Sequence, residues 1–406
     1  MKIAIISTSA NGGAGAASKR LKAGLHNLGL QVSFISKTEP KNSLLEFFRT
    51  YFKKRSVVKY NFRVLQNTFK RQDYFSFPYS YCSPEKELKV LQADVINLHW
   101  VSDFVDFKSF FLATKHIPMV ITLHDMNYFT GGCHYSFGCE QYVDENCNDC
   151  WQLEGSKEPR AAHYAFLDKL KAFGFRNFEN TIIVSPSNWL KESSEKSTLF
   201  SKFRNMLIPY GIDTDDFKQI EKHLAKSKLG LTAHNRLLLF IASDVKLYRK
   251  GFRFVKDLLP HLSSQNITLL VVGDLTEEPI QVENLIYLGK VNDLPQLSLC
   301  YSCADAMILP TLADNLPNTM LESLCCGTPV LGFEVGGLPD VIQNGQNGFL
   351  SSKLSSDGLK EVISRFYEEG LSLSSSEIRA SAAEKYHLDV QAKEYKKVFN
   401  SLLFDR

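Results

Sequence analysis

Residues 314–330, DNLPNTMLESLCCGTPV, set two acids, Asp314 and Glu322, on either side of a turn rich in asparagine and proline. If most of the stretch is helical, the rise of about 1.5 Å per residue separates the two carboxylates by roughly 10–12 Å. That is too far for a glycosidase pair, which needs about 5–9.5 Å. It is close to the span from the sugar to the ribose of a nucleotide-sugar, and a helix N-terminus between the acids would face the diphosphate and stabilise its charge. Asn315 or Asn318 suits the N-cap, Pro317 the first turn, Gly327 the position after the helix and Pro329 the stop.

Other residues offer separate chemistry. Arg249 and Lys250, in LYRKGF, can neutralise a diphosphate and the charge on a departing nucleotide. His124 follows an apolar run at 119–123, where open α/β sheets bind ligands. Cys133, Cys139, Cys147 and Cys150 form C-x5-C-x7-C-x2-C within a loop at 131–151. Structural zinc, packed thiols and disulfides are all open for these four, although a reducing compartment argues against disulfides. Cys300, Cys303, Cys325 and Cys326 sit in apolar helical runs and read as core. Asp213-Thr-Asp215 matches a metal-binding string but follows PYGI and reads as a turn.

Elements must position these groups. A strand at 2–7, a turn holding Gly12, Gly13 and Gly15, a helix ending near Leu28 and a strand at 31–35 make a βαβ start. Continuous apolar runs at 93–98, 119–123 and 181–184 read as buried parallel strands. A second series follows at 237–242, 268–272, 285–288, 306–309 and 330–333. The chain of 406 residues thus divides into α/β domains at 1–208 and 209–388, with an amphipathic helix at 389–406 that crosses back in folds of this kind. The glycine loop is a poor dinucleotide site: Ser18 stands where a third glycine belongs, and strand two ends without the acid a ribose needs. No P-loop string occurs.

The composition, 44% hydrophobic and 22% charged, is that of an ordinary globular protein, and no apolar stretch approaches the roughly 18–20 residues that span a bilayer. The start, MKIAIISTSANGG, reads as strand and turn rather than signal peptide, so a cytoplasmic location is expected. Within an insert at 44–72, Arg49, Lys53, Lys54, Arg55, Lys59, Arg63, Lys70 and Arg71 are met by no acid from 47 to 72. Tyr51, Val58, Phe62, Leu65 and Phe69 recur there at helical spacing. The cationic helix either packs its stripe on its own domain or docks, through Lys53, Lys54 and Arg55, on an anionic membrane or acceptor; nucleic acid is not expected.

The 314–330 stretch resembles the donor-site signature of family 4 retaining glycosyltransferases: an acid, seven residues, a second acid, then Gly-x-Pro-Val and a strand. LYRKGF, EVGGLPDVI with NGQNGFL, and YLGKVNDLPQL resemble further elements of the same family. The resemblance implies a GT-B fold, two facing Rossmann-like α/β domains with a central cleft, the second holding the nucleotide-sugar and the first the acceptor. It implies that Asp314 contacts the transferred sugar, that the amides of Leu316 and Asn318 support sugar and phosphate, and that Glu322 binds the ribose. By the same resemblance Arg249 and Lys250 meet the diphosphate, residues around Val291 line the base, Gly13 belongs to the donor site, and His124 approaches the sugar. Gly336 and Gly337 are expected to be scaffold. Asp314 stands where glutamate is usual, shortening its reach by one methylene, and Pro317 where glycine is frequent, removing one amide donor.

The expected reaction is metal-independent, retaining transfer of a hexose-type sugar from a UDP- or GDP-sugar to a saccharide acceptor. The basic helix points to a lipid-linked acceptor, as in bacterial capsule, O-antigen, lipopolysaccharide or exopolysaccharide synthesis, at the inner face of the membrane. A sugar-nucleotide epimerase or phosphorylase on the same architecture, and a non-catalytic sugar-nucleotide-binding subunit, are the alternatives.

Overall fold

The computed structural model describes residues 1–37, 44–68, 73–232, 236–274 and 282–404, with backbone alone for 44–52. The chain separates into two compact units, Met1–Pro209 with Gln391–Arg406, and Tyr210–Val390.

In the first unit the elements run β1 (Lys2–Ile6), α1 (Gly12–Asn27), β2 (Gln31–Ile35), α2 (Leu44–Leu65), α3 (Glu85–Leu91), β3 (Val95–Leu98), α4 (Phe107–Ala113), β4 (Met119–Thr122), α5 (Ala161–Phe173), β5 (Thr181–Ser185), α6 (Asn188–Lys196) and β6 (Arg204–Leu207). The strands form one parallel sheet in the order β2-β1-β3-β4-β5-β6. VINL, MVIT and TIIVS are buried throughout, because helices cover both faces of such a sheet and leave no side for polar alternation. The order reverses between β1 and β3, opening a crevice at their carboxyl ends where open α/β sheets bind ligands.

The second unit continues α7 (Lys222–Lys228), β7 (Arg236–Asp244), α8 (Phe252–Ser264), β8 (Ile267–Asp274), β9 (Leu285–Gly289), α9 (Leu294–Cys303), β10 (Ala306–Leu309), α10 (Asn318–Cys325), β11 (Val330–Phe333), β12 (Gly348–Ser351), α11 (Ser356–Glu369) and α12 (Ser375–Tyr386). Its sheet, also parallel, runs β12-β11-β10-β7-β8-β9 and reverses between β7 and β10. Cys300, Cys303, Cys325 and Cys326 are buried in its core. The last helix, α13 (Leu388–Phe404), packs Ala392, Tyr395, Val398, Phe399 and Leu402 against Ile3, Ile5, Val120 and Ile182 of the first unit.

The fold as expected from the sequence needs three corrections. β6 and β12 were not foreseen: RNML is a partly exposed edge strand and GFLS a short one after Asn-Gly, so neither shows an apolar run. The packed face of α2 is not the expected stripe, since Val58 is 55% and Phe62 69% exposed. Val64 is buried instead, and Tyr60 sets its ring edge-on to Phe77 and Tyr79 at 5.3 and 5.5 Å, aromatic contacts that turn the helix away from the expected face. Of that stripe and its cations, the side chains of Arg49 and Tyr51, and all of Phe69, Lys70 and Arg71, lie outside the described residues. Finally α10 begins later than expected. Its N-cap is Pro317, without a side-chain cap, so Asn318 is the first helical residue and Asp314 stands in the preceding loop.

Candidate functional site

In the second unit the loops after β7 and β10 flank the reversal of strand order, and the structure brings three of the expected residues together there. The Asp314 Oδ2 accepts from the Lys250 Nζ at 2.5 Å and from the Arg249 Nη1 at 3.1 Å. Asp314 is 7% exposed, and its Oδ1 accepts from the Asn315 amide at 3.1 Å. Burial alone would raise the pKa of this carboxyl; Lys250 and Arg249 outweigh it and hold the group below the ordinary aspartate value.

The backbone explains why the three groups meet. The Arg249 carbonyl accepts from the Leu312 amide at 2.7 Å and the Thr311 hydroxyl at 3.0 Å, tying one loop to the other. Gly251, at φ +72°, lies so near Pro310 that an added Cβ would stand 1.9 Å from its carbonyl oxygen. Gly336, at φ +56°, leaves the same kind of gap, 1.7 Å from the Asp314 carbonyl oxygen, while the Gly337 amide donates to Asn315 O at 2.7 Å. Only glycine fits at either position. The expected scaffold role of the glycine pair thus acts directly on the backbone of Asp314.

Glu322 is buried on α10, where its Oε2 accepts from the Tyr301 hydroxyl at 2.9 Å. Leu316 is buried in the loop before that helix, and Asn318 is half-buried at its start. Val291 is half-buried after β9, at the carboxyl edge of the same sheet. Asp213 accepts from the Asp215 amide at 2.9 Å, and Arg379 donates to the Thr214 carbonyl at 3.2 Å, so this string is a turn.

In the first unit His124 leaves the end of β4 with its Nε2 2.9 Å from the His99 Nδ1, and the His99 Nε2 is 3.0 Å from the Asn97 Oδ1. Burial pushes the pKa of His124 down to about 4 against a raising pull from Asp125, and burial, then His124, holds that of His99 well below the ordinary histidine value. Asp125 accepts from the His134 Nδ1 at 2.6 Å, the Trp100 indole at 2.9 Å and the Asn127 amide at 2.8 Å. Burial would raise its pKa, and His134 more than reverses this. Gly13 is exposed in the first turn of α1, a turn with no acid in it.

Sequence reasoning missed Asn97, His99, Trp100 and Lys169. For the first two the signal was present in VINLHW, because residues two apart share a strand face and a polar pair inside an apolar strand needs a partner. Lys169 is fully buried and donates to the carbonyls of Asn127 and Thr130; burial lowers its pKa to about 8.

The four loop cysteines line one apolar cavity of about 20 Å³ together with Phe75 and Trp151. The Cys147 Sγ accepts from the Gly131 amide at 3.2 Å, and burial pushes the Cys147 thiol up to about 12 and the Cys150 thiol to about 11. All four are free thiols. Among the described residues no three His, Cys, Asp or Glu side chains are arranged to hold a metal ion, so the zinc expectation has no preformed ligand set there.

A buried acid held by two cations is costly to break. Asp314→Asn is expected to lower unfolding free energy at pH 7 by about 3–5 kcal/mol. Because the folded pKa is depressed, this stabilisation is full above the unfolded value of about 3.9 and fades as pH falls through the folded one. Urea unfolding of both proteins at pH 7 and pH 3 should therefore show a gap that narrows in acid; an equal gap at both would contradict the ion cluster.

Residues 235–369 match the family described as glycosyl transferases group 1. The chain is 23% identical over 420 residues to the N-acetyl-alpha-D-glucosaminyl L-malate synthase of Bacillus anthracis, covering 100% of this chain and 98% of that one. In fold it is similar to sucrose-phosphate synthase from Thermosynechococcus elongatus, with a TM-score of 0.69 at 14% identity over 100% of both chains. It is also similar to Anabaena HepE in complex with UDP and glucose, with a TM-score of 0.60 at 15% identity over 99% of this chain and 100% of that one. Two parallel six-stranded sheets and full-length likeness to these structures give the chain the GT-B fold, and its residues 235–369 are a glycosyl transferases group 1 segment.

Proposed function

We propose that the chain transfers a hexose-type sugar from a UDP- or GDP-sugar to a lipid-linked saccharide acceptor, with retention of anomeric configuration and without a metal ion, in bacterial surface-polysaccharide synthesis. The observation that carries this reading is the cluster of Asp314, Lys250 and Arg249 at the carboxyl ends of β7 and β10, with Glu322 on the helix that follows. Lys250 and Arg249 supply the charge that a diphosphate requires. Glu322, oriented by Tyr301, accepts from the ribose hydroxyls, and Asp314 accepts from the sugar. Leu316 and Asn318 offer amides to sugar and phosphate, and Val291 lies against the base; in the first unit the candidate residues are Gly13 and His124. The acceptor oxygen bonds to the anomeric carbon as the bond to phosphate breaks, and its proton passes to a departing phosphate oxygen.

On the acceptor side, a cavity of about 570 Å³ in the first unit is lined by Lys37, Lys54, Tyr81, Asp103, Val58 and Phe62. The Lys37 and Lys54 ammonium groups lie 5.2 and 5.5 Å from the centre of the Tyr81 ring. Exposed apolar side chains beside cations favour an amphipathic, anionic acceptor, and Lys53, Lys54 and Arg55 are all exposed on α2. No helix among the described residues is long and apolar enough to cross a membrane. On this reading the chain works peripherally, at the cytoplasmic face.

Incubation with a panel of UDP-, GDP- and ADP-sugars and simple saccharides should give nucleotide release from one donor. With Glu322→Ala, kcat/KM for that donor should fall about 10- to 100-fold, the worth of a hydrogen bond to a charged group. Tight binding without release across the panel would favour a sugar-nucleotide-binding subunit instead. For the membrane, replacing Lys53, Lys54 and Arg55 by glutamine should weaken binding to anionic liposomes roughly 100-fold, at about 1 kcal/mol per cation. Unchanged sedimentation with the liposomes would refute the peripheral role.

A further inference from the structure

The hydrogen-bond chain behind His124 fixes its tautomer. The Val120 carbonyl can only accept, so the atom of Asn97 that faces it at 3.2 Å is the amide nitrogen, which also donates to the Thr122 hydroxyl at 3.0 Å. The Asn97 carbonyl oxygen therefore faces the His99 Nε2, and that nitrogen carries the His99 proton. His99 is 2% exposed and neutral, so its Nδ1 is bare and accepts from the His124 Nε2–H. The chain is anchored further back, where the Thr122 hydroxyl meets the Tyr395 hydroxyl of α13 at 2.8 Å, so the last helix of the fold supports it.

We propose that His99 is a positioning residue that holds the His124 proton on Nε2, so that Nδ1 is the nitrogen of that ring that carries the lone pair. The choice of nitrogen is made by the partner of the other one, as in any histidine whose far side is hydrogen-bonded. Asn97, Thr122 and Tyr395 act through His99 and touch no substrate. The consequence for transfer rests on the role proposed above for His124, whereas the tautomer itself does not.

Long-range proton–nitrogen NMR on the full chain labelled at histidine nitrogen reads the tautomer directly, with His124→Ala identifying the signals. The wild type should show a protonated Nε2 and a bare Nδ1 on His124. His99→Leu should remove that preference and lower kcat/KM for nucleotide release roughly tenfold, the size of one lost hydrogen bond. His99→Asn places a carbonyl oxygen near the position of the imidazole Nδ1 and should restore both readouts. A proton on Nδ1 in the wild type would overturn the proposal, as would His99→Leu with tautomer and rate unchanged, or His99→Asn as impaired as His99→Leu. The wild-type spectrum decides the tautomer even if His99→Leu does not fold. If His124→Ala transfers sugar at the wild-type rate while the wild-type spectrum shows protonated Nε2, the role of His124 in transfer fails and the tautomer assignment stands.

Discussion

Everything in the second unit converges on one buried carboxylate. Asp314 draws Lys250 and Arg249 toward the point where strand order reverses, and an uncompensated charge there would cost several kcal/mol. The local backbone is shaped to allow it. Gly251 lets one loop press against Pro310, Gly336 lets another press against Asp314, and Thr311 and Leu312 hold the Arg249 carbonyl between them. The same groups that stabilise the loops as an ion cluster are those that a nucleotide diphosphate and its sugar would use. Under the proposed function, stability and recognition would depend on the same charges, and a donor would compete with Asp314 for its cations.

The first unit solves a related problem without charge. A parallel sheet buried on both faces has little room for polar groups, yet Asn97 stands inside one strand and His99 two residues on, just past its end. Each is satisfied in sequence, Asn97 by Val120 and Thr122, His99 by Asn97 and His124. Such a chain is worth its burial only when complete, which makes it directional. Beside it Asp125 is fastened by His134, Trp100 and a backbone amide, so the loop after β4 leaves the sheet on a fixed course.

Much of this was legible from sequence, for physical reasons. The buried strands appear as unbroken apolar runs because helices cover both sheet faces, and the Asp-x7-Glu stretch with Gly-Thr-Pro marks loop, helix and stop. What escaped depends on partners distant in the chain. The face of α2 was set by Phe77 and Tyr79 rather than by its own periodicity. The edge strands β6 and β12 are too short and polar to announce themselves. The pairing of Asp314 with Lys250 and Arg249 spans more than sixty residues, and spacing along one helix could not reveal it. Candidate site residues could be named from their types and spacing, but the order in which they hold one another came only from the fold.

The most direct measurement is a crystal structure of the protein with a UDP- or GDP-sugar bound. The account predicts the diphosphate against Lys250 and Arg249, the ribose hydroxyls at Glu322, and Asp314 turned from its cations toward the sugar. A donor bound elsewhere, with the Asp314–Lys250 contact still at 2.5 Å, would contradict it.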